Sequence, residues 1–194
     1  TDIFGIAGSG KTHLAMQISL DVIRDGIILF QDTSGGFRPE RMMQMLKIHQ
    51  MDSKLLDNVI VARITNTSEI ISYVKKISEI KPKLVVIENV SELFTFEYSK
   101  EEASLEKHVK FMEYMHMLSL VAIKQNLPIV VTNTVRSSNQ QEIENLDKSI
   151  SMFTHKKIKL DKKDQKCTAR VFPSFGTKKE IPYEITESGL VEIL

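Results

Sequence analysis

The sequence predicts an α/β fold whose central sheet is mostly parallel and flanked by helices. Two observations carry this prediction. Short, continuously apolar runs alternate with segments whose apolar residues recur at helical spacing, and continuous apolar runs are typical of strands covered on both faces. From about residue 155 the pattern changes to short segments joined by short connections, which predicts antiparallel strands at a C-terminal edge.

The N-terminal elements follow this pattern. Residues 3–4 end a strand, GIAGSGKT follows, and HLAMQISLDVI has the apolar spacing of a helix. A buried strand at residues 27–30 leads into the polar turn DTSGG, and Pro39 opens the next helix. DNVIVARI is then a strand, and Ser68 is the expected N-cap of the helix after it.

The C-terminal elements complete the sheet. Residues 84–87 form an apolar strand closed by Glu88-Asn89, and a long helix is expected at residues 103–125. LPIVVTNTV is another buried strand with polar residues at its carboxyl end. KKIKLD, CTARVF and YEIT are the expected antiparallel strands, so residues 1–194 form one domain.

Composition bounds the class of protein. Hydrophobic content of 42% and charged content of 26% are ordinary for a globular domain, and no apolar run is long enough to span a membrane. A lone Cys167 favours a reducing compartment, and we expect the cytoplasm. The net charge of +1 provides no global basic field, so contact with nucleic acid needs a local patch. Because the chain opens at Thr1 within a strand, we expect residues to precede it.

The most specific motif is Gly5-x4-Gly10-Lys11-Thr12, between a strand and a helix. This is the phosphate-binding loop pattern, and it stands between the strand and the helix that the motif requires. The alternative is a chance glycine-rich turn, which would have no reason to be followed by Lys-Thr. The glycines let successive N–H groups face an anion at the positive end of the helix. The lysine reaches phosphates and the threonine hydroxyl reaches Mg²⁺. The expected nucleotide contacts are Gly8, Ser9, Gly10, Lys11, Thr12 and His13.

Three more polar clusters are expected beside this loop. They are Asp32-Thr33-Ser34, Glu88-Asn89 and Thr132-Asn133-Thr134, each at the carboxyl end of a predicted strand. In open α/β sheets, ligands bind beyond these strand ends. The sequence therefore predicts one site along this edge.

Several stretches together resemble the RecA/RadA recombinase family. They are TDIFGIAGSGKTHLAMQ, QDTSGGFRPERMMQM, KLVVIENVSELF, IVVTNTV and the tail from KKIKL to YEITESGL. The short segment between VTN and KKIKL is most similar to that of the RadB-like accessory paralogues. The resemblance implies a RecA-like P-loop NTPase core, ATP and Mg²⁺ as cofactors, single-stranded DNA, and either self-association or a partner recombinase.

The resemblance also assigns roles to particular residues. Lys11 would contact phosphate and take part in catalysis, and Thr12 would bind the metal. Glu88 stands where the family has its Walker B carboxylate, so it would hold Mg²⁺ through a water and serve catalysis; the alternative is a carboxylate merely solvated at the strand end. Arg41 would stack on adenine, which suits a planar guanidinium, or else be a solvated helix arginine.

The sequence departs from the family pattern at two positions. The glutamate that orients the attacking water in the family is Ser34 here, and serine is a poor base. The glutamine that senses the γ-phosphate is replaced by Thr134. We therefore predict good ATP binding with weak or absent hydrolysis. The alternative is that another side chain supplies the carboxylate.

The candidates for DNA contact are fewer than in a full recombinase. The segment TFEYSKEEASLEKH is acidic and would repel phosphate. The later loop offers Arg136, Asn139 and Gln140, although surface loops commonly have this composition. Lys157 and Lys159 share one face of KKIKLD, either as a phosphate-tracking patch or, the reading we favour, as lysines guarding a sheet edge.

These observations predict an ATP-binding recombinase paralogue acting in DNA repair by homologous recombination. Two other functions stay open. One is a nucleotide-dependent regulatory ATPase similar to KaiC that does not bind DNA. The other is a scaffold whose nucleotide is structural.

Overall fold

The computed structural model describes residues 1–138, 141–164, 166–173 and 176–193. The helices in these ranges are α1 Lys11–Val22, α2 Pro39–Ile48, α3 Thr67–Ile80, α4 Glu92–Glu97, α5 Ser104–Gln125 and α6 Asp147–Ile150. The strands are β1 Asp2–Gly5, β2 Ile28–Asp32, β3 Val59–Arg63, β4 Leu84–Glu88, β5 Ile129–Ser138, β6 Gln141–Glu144, β7 Lys156–Lys163, β8 Lys166–Pro173, β9 Lys179–Thr186 and β10 Gly189–Glu192.

The strands form one sheet in the order β10-β9-β8-β7-β1-β5-β4-β2-β3, and β6 pairs with β5. The pairings from β7 through β1, β5, β4 and β2 to β3 are parallel. The pairings among β7, β8, β9 and β10 are antiparallel. The predicted mostly parallel sheet with an antiparallel C-terminal edge is confirmed.

One part of the edge prediction is wrong. Strand β7, which carries Lys157 and Lys159, lies between β1 and β8 and is therefore an interior strand. Its register joins Asp2 to Lys157 and Gly5 to Leu160. These two lysines cannot guard an open edge, because hydrogen-bonded strands cover β7 on both sides.

The two faces of the sheet have separate apolar cores. On one face, Ile3, Phe30 and Val86 pack with α1 and α2. On the other face, Leu29 and Val85 join a cluster that includes residues of α3, α4 and α5. Burial on both faces explains why the central strands are continuously apolar in sequence.

Helix α3 begins at Thr67, two residues earlier than a Ser68 N-cap would give. Its N-cap is Asn66, whose side chain accepts a hydrogen bond from the backbone N–H of Glu69 at 2.8 Å. Ser68 instead donates its hydroxyl to the Asn66 side chain. The prediction was wrong because either residue fits the N-cap pattern and only the three-residue reach to Glu69 decides between them.

The single cysteine of the chain, Cys167, is buried on β8 and has a free thiol. Among the described residues, no helix has the length and apolar character needed to cross a membrane.

Candidate functional site

The phosphate-binding loop lies between β1 and α1, as the motif predicts. Gly8 and Gly10 have φ angles of 73° and 91°, in the left-handed region that favours glycine. A Cβ on Gly10 would also come within 3.1 Å of Leu190 and 3.2 Å of Ile185. The Lys11 ammonium donates to the Gly5 and Ile6 carbonyls at 2.9 and 2.7 Å, so it lies inside the curve of the loop.

Glu88 closes the bottom of this loop from the end of β4. The Thr12 hydroxyl donates to its Oε1, while its Oε2 is buried and has no hydrogen-bond partner among the described residues. Burial raises the pKa of Glu88 to about 7 despite the bond from Thr12. Burial also lowers the pKa of Lys11, and the Glu88 charge works in the opposite direction.

The DTSGG turn is held by the Asp32 carboxylate. That carboxylate accepts backbone N–H bonds of 2.7–3.2 Å and forms a 3.2 Å ion pair with Arg63. The N–H donors belong to Ser34, Gly35, Gly36 and Phe37. Asp32 is therefore committed to shaping the turn and is not free to act as a base.

Ser34 belongs to this turn and lies next to Glu88, the last residue of β4. A Cβ placed on Gly36 would be 3.2 Å from the Ser34 Oγ and 3.4 Å from the Glu88 Oε1, so both side chains flank the same point. Ser34 is exposed, whereas Glu88 is buried. The side chain at position 34 therefore borders the site from the solvent side.

Arg41 and His13 form one wall of a cavity of about 310 Å³ beside the loop. The Arg41 guanidinium donates to the His13 ring at 3.1 Å, to Gln44 at 2.7 Å and to the Thr186 carbonyl at 2.6 Å. Burial, followed by the Arg41 charge, lowers the pKa of His13. The guanidinium is thus fixed in place within a cavity large enough for a small ligand. Adenine stacking by Arg41 stays a prediction.

The β9–β10 hairpin, which the sequence did not connect with the site, packs against the loop and contributes Ile185 to the cavity lining. The Tyr183 hydroxyl donates to the Ser9 carbonyl at 2.6 Å. Gln17 of α1 brackets Leu190, accepting its N–H at 2.9 Å and donating to its carbonyl at 3.3 Å. Tyr183 and Leu190 are more than 170 residues from these partners, and YEIT differs in no local feature from any other alternating strand.

The donor set fits a nucleotide with its metal. The loop supplies backbone N–H groups and an ammonium for phosphate. The Thr12 hydroxyl and the Glu88 carboxylate, with one oxygen left free, are hard oxygen ligands of the kind that Mg²⁺ prefers. Among the described residues there is no cluster of three or more His, Cys, Asp or Glu that could hold a metal without a ligand's help. A P-loop magnesium ion, which shares phosphate oxygens, needs no such cluster.

All four polar clusters meet directly, since the Thr12 hydroxyl of the loop donates to Glu88. The Thr33 hydroxyl lies 3.1 Å from the Glu88 carbonyl and 2.8 Å from the Asn89 carbonyl. The Asn89 amide donates to the Thr134 hydroxyl at 3.3 Å, and Asn145 donates to the same hydroxyl at 2.9 Å. Thr134 thus links the end of β4 to the segment that follows β6.

Lys157 is enclosed by acids. Its ammonium lies 3.6 Å from Asp2 and 2.7 Å from Asp147, and it also pairs with Glu144. Burial raises the pKa of both Asp2 and Glu144. We call Asp2, Glu144, Asp147 and Lys157 the acid cluster.

The remaining DNA candidates have different surroundings. Lys159 pairs with Glu142 at 3.0 Å and with Asp161 at 2.8 Å. Arg136 is exposed near the end of β5. Asn139 and Gln140 lie outside the described residues. To bind DNA, Lys157 and Lys159 would have to give up their acidic partners for phosphate groups. DNA contact by any of these residues stays a prediction.

Comparisons with known proteins give concordant results. A Rad51 family model matches residues 1–191. A DNA repair and recombination protein RadB from Thermococcus sibiricus is 31% identical over 202 residues, covering 100% of this chain and 86% of the relative. Proteins named RadA from Cenarchaeum symbiosum and Metallosphaera sedula are each 33% identical. Those two matches cover 71% and 70% of this chain but only 38% and 46% of the relatives, less than half of their length.

Proposed function

The chain belongs to the Rad51 family, close to RadB, and on that premise we propose that it is an ATP- and Mg²⁺-binding recombinase paralogue. It assists homologous recombination in DNA repair and hydrolyses ATP slowly or not at all. One observation carries the proposal. Lys11 and Thr12 of the phosphate loop lie together with Glu88, as binding of a nucleotide and its metal requires. The position that borders Glu88 on the solvent side carries Ser34 and not a carboxylate.

Nucleotide binding follows from the loop itself. Its N–H groups and the start of α1 favour the phosphates, and the Lys11 ammonium, held near the loop carbonyls, exchanges those bonds for phosphate oxygens. Thr12 and Glu88 would hold the magnesium ion, which neutralises phosphate charge when bound. Arg41, fixed between His13 and Thr186, offers a planar cation to the base.

Slow hydrolysis follows from the acids around the site. A water-orienting carboxylate must face the terminal phosphate, and Ser34 supplies only a hydroxyl. Asp32 is occupied by the backbone of its own turn and by Arg63. Glu88 bonds Thr12 through Oε1, and its other oxygen is the one proposed to hold the magnesium ion. Losing a general base costs on the order of 10²–10⁴ in rate.

Restoring a carboxylate at position 34 tests this account. We expect Ser34→Glu to raise ATP turnover at least about tenfold, within the range for a positioned general base. Ser34→Gln, of matched size without a charge, should leave turnover at the wild-type level, and Lys11→Ala should abolish nucleotide binding. Phosphate release would be measured with and without single-stranded DNA. Wild-type turnover of about one per second or faster, in the ordinary range for enzymes, would contradict the proposal.

DNA contact is proposed to be weak and local. Arg136 is an exposed candidate, and the relatives named RadA and RadB are called DNA repair and recombination proteins. In the acidic segment, Glu97 is already engaged, since it accepts from the Thr67 backbone at 2.7 Å and thereby ties α4 to the start of α3. We expect Arg136→Glu to weaken binding of a fluorescent single strand several-fold at low salt. Equal affinity of this variant and wild type would remove Arg136 from the interface.

Assembly is the remaining part of the proposal. The family resemblance supports self-association or pairing with a partner recombinase, with nucleotide near the interface. Sedimentation of the protein with and without Mg-ATP, alone and mixed with a RadA-type recombinase, would distinguish the two. A chain that stays monomeric in every mixture would contradict this part.

A further inference from the structure

The Thr132 side chain is a buried polar group without a partner. It is 1% exposed, and its hydroxyl has no hydrogen-bond partner among the described residues. A buried hydroxyl that makes no hydrogen bond lowers stability, so its presence calls for a physical account.

The sheet puts Thr132 beside the metal half of the site. In β5 it pairs with Ile3 of β1, and it lies one residue beyond Val131, which pairs with Ile87 of β4. Thr132 and Glu88 are therefore neighbours on adjacent strands, which run about 4.8 Å apart. The Val90 N–H also donates to the Thr132 carbonyl at 2.9 Å, fixing the chain just after Glu88.

Strand alternation gives Thr132 and Glu88 the same face. Val130 and Val86, each two residues earlier, belong to the core that packs against α1. Helix α1 begins at the phosphate loop and carries Thr12, which bonds Glu88. Two buried oxygens without partners, the Thr132 Oγ1 and the Glu88 Oε2, thus occur at adjacent strand ends below Thr12.

Gln31 is a second buried side chain without a hydrogen-bond partner among the described residues, but it lies away from the site. Gln31 is 0% exposed, and neither end of its amide has a partner among the described residues. It alternates with Phe30 and Asp32 and so faces the other core, away from the phosphate loop. Gln31 shares the cost of burial with Thr132 but lacks a neighbouring unpaired carboxylate oxygen on the site face.

We propose that Thr132 is a positioning residue of the nucleotide site, whose hydroxyl works with the free oxygen of Glu88 to hold the hydrated magnesium ion that accompanies ATP. This inference rests on the proposed function, since it needs a nucleotide-binding protein. It assigns the hydroxyl a partner that is present only in the liganded protein. It also separates two effects of one side chain, a cost to the free protein and a gain to the Mg-nucleotide complex.

The test compares Thr132→Val with Gln31→Met, which removes the other buried polar group at similar size. Each would be assayed by the thermal midpoint of the nucleotide-free protein and by the Kd of a fluorescent ATP analogue with Mg²⁺ and with EDTA. We expect both variants to raise the midpoint by about 2–4 °C, the shift typical of a small stability gain at this size. Only Thr132→Val should reduce the Mg²⁺-dependent gain in affinity, about fivefold or more, with the EDTA value unchanged within about twofold. These figures follow from losing one hydrogen bond to a charged centre.

Thr132→Ser keeps the hydroxyl and should retain the Mg²⁺-dependent gain. The proposal is overturned if Thr132→Val keeps the full gain, or if Thr132→Ser loses it as much as Thr132→Val does, because the methyl group would then matter rather than the hydroxyl. Failure of the wild type to bind the analogue in either buffer would instead overturn the proposed function, and this inference with it.

Discussion

The sheet buries acidic side chains on both of its faces, and the two sets differ in the ion pairs and hydrogen bonds that surround them. In the acid cluster, Lys157 pairs with Asp2, Glu144 and Asp147, and Asn133 also donates to Glu144 at 2.7 Å. On the opposite face, Glu88 has one oxygen bonded to Thr12 and the other unpartnered among the described residues, while the Lys11 ammonium is directed to backbone carbonyls. The first set has a cation, Lys157, among its carboxylates, although both Asp2 oxygens have no hydrogen-bond partner among the described residues. The second set has no ion pair to Glu88 among the described residues and leaves an acceptor for something that binds.

This difference separates structural acids from ligand-binding acids. Buried charges are tolerated when they are paired and hydrogen-bonded. The acid cluster meets the pairing part of that condition through Lys157 and ties β1, β6, α6 and β7 together, although both Asp2 oxygens have no hydrogen-bond partner among the described residues. Glu88 does not meet it in the free protein, which is the pattern expected of a group that completes its coordination on binding.

The largest effect is expected from removing the cation of the acid cluster. Lys157→Met should lower the free energy of unfolding by about 3–5 kcal/mol, because it leaves buried acids without their counter-charge. Lys159→Met is the matched control on the same strand. Its partners Glu142 and Asp161 are 42% and 22% exposed, so water reaches both carboxylates and we expect a smaller loss of about 1 kcal/mol. Urea unfolding monitored by circular dichroism measures both, and equal losses would contradict the comparison.

A smaller effect should appear in the pH dependence of stability. Burial, with the neighbouring Glu144 charge, raises the pKa of Asp2 to about 9. The folded protein then holds a proton that the unfolded chain releases near pH 4, so Asp2 reduces stability progressively as the pH rises from about 4 to about 9. Between pH 5 and 8.5 we expect wild type to lose about 1–3 kcal/mol more than Asp2→Asn, whose neutral amide does not titrate in this range.

Asp147→Asn is the control for this pH experiment. Burial acts to raise the pKa of Asp147, but the hydrogen bond and charge of Lys157 outweigh it and lower that pKa. A lowered pKa stabilises the protein above the unfolded value and is lost on acidification, below about pH 4. Parallel stability curves for wild type and Asp2→Asn from pH 5 to 8.5 would show that Asp2 is ionised in the folded protein.

The smallest effect concerns Glu88 in the absence of nucleotide and metal. Burial raises its pKa to about 7, so it reduces stability as the pH rises from about 4.5 to about 7. Glu88→Gln should therefore be more stable than wild type by about 1–2 kcal/mol at pH 8 and similar at pH 5. The same variant should lose most of its Mg²⁺-dependent ATP affinity. A variant that is destabilised at pH 8 would mean that Glu88 is compensated after all.

The sequence was sufficient where a local pattern fixes the outcome. Continuous apolar runs predicted the parallel strands, and the spacing from Gly5 to Thr12 predicted the phosphate loop between β1 and α1. The contact between Thr12 and Glu88 also lies where the strand-end argument expected it. Local pattern and fold agree for β2 and β4 because these strands are buried on both faces, whereas the apolar run of β3 at the sheet edge leaves Ile60 and Val61 exposed.

It was insufficient where partners are distant in sequence. Lys157 looks like a solvated lysine of an alternating strand, and its acids come from Asp2 and from the segment around Glu144. The parallel pairing of β7 with β1, 155 residues apart between Asp2 and Lys157, leaves no local signal. The short elements β6 and α6 were also missed, since four residues each give too little periodicity to detect.

The docking of the β9–β10 hairpin has a consequence for protein synthesis. Tyr183 and Leu190 contact Ser9 and Gln17, so the nucleotide cavity joins segments translated at nearly opposite times. A ribosome would have to release about 180 residues after the loop before that hairpin could pack, at the usual 5–20 residues per second. Until then the emerging chain contains the phosphate-binding loop but not the hairpin that packs against it. We therefore expect nucleotide binding to be delayed until most of this domain has left the exit tunnel.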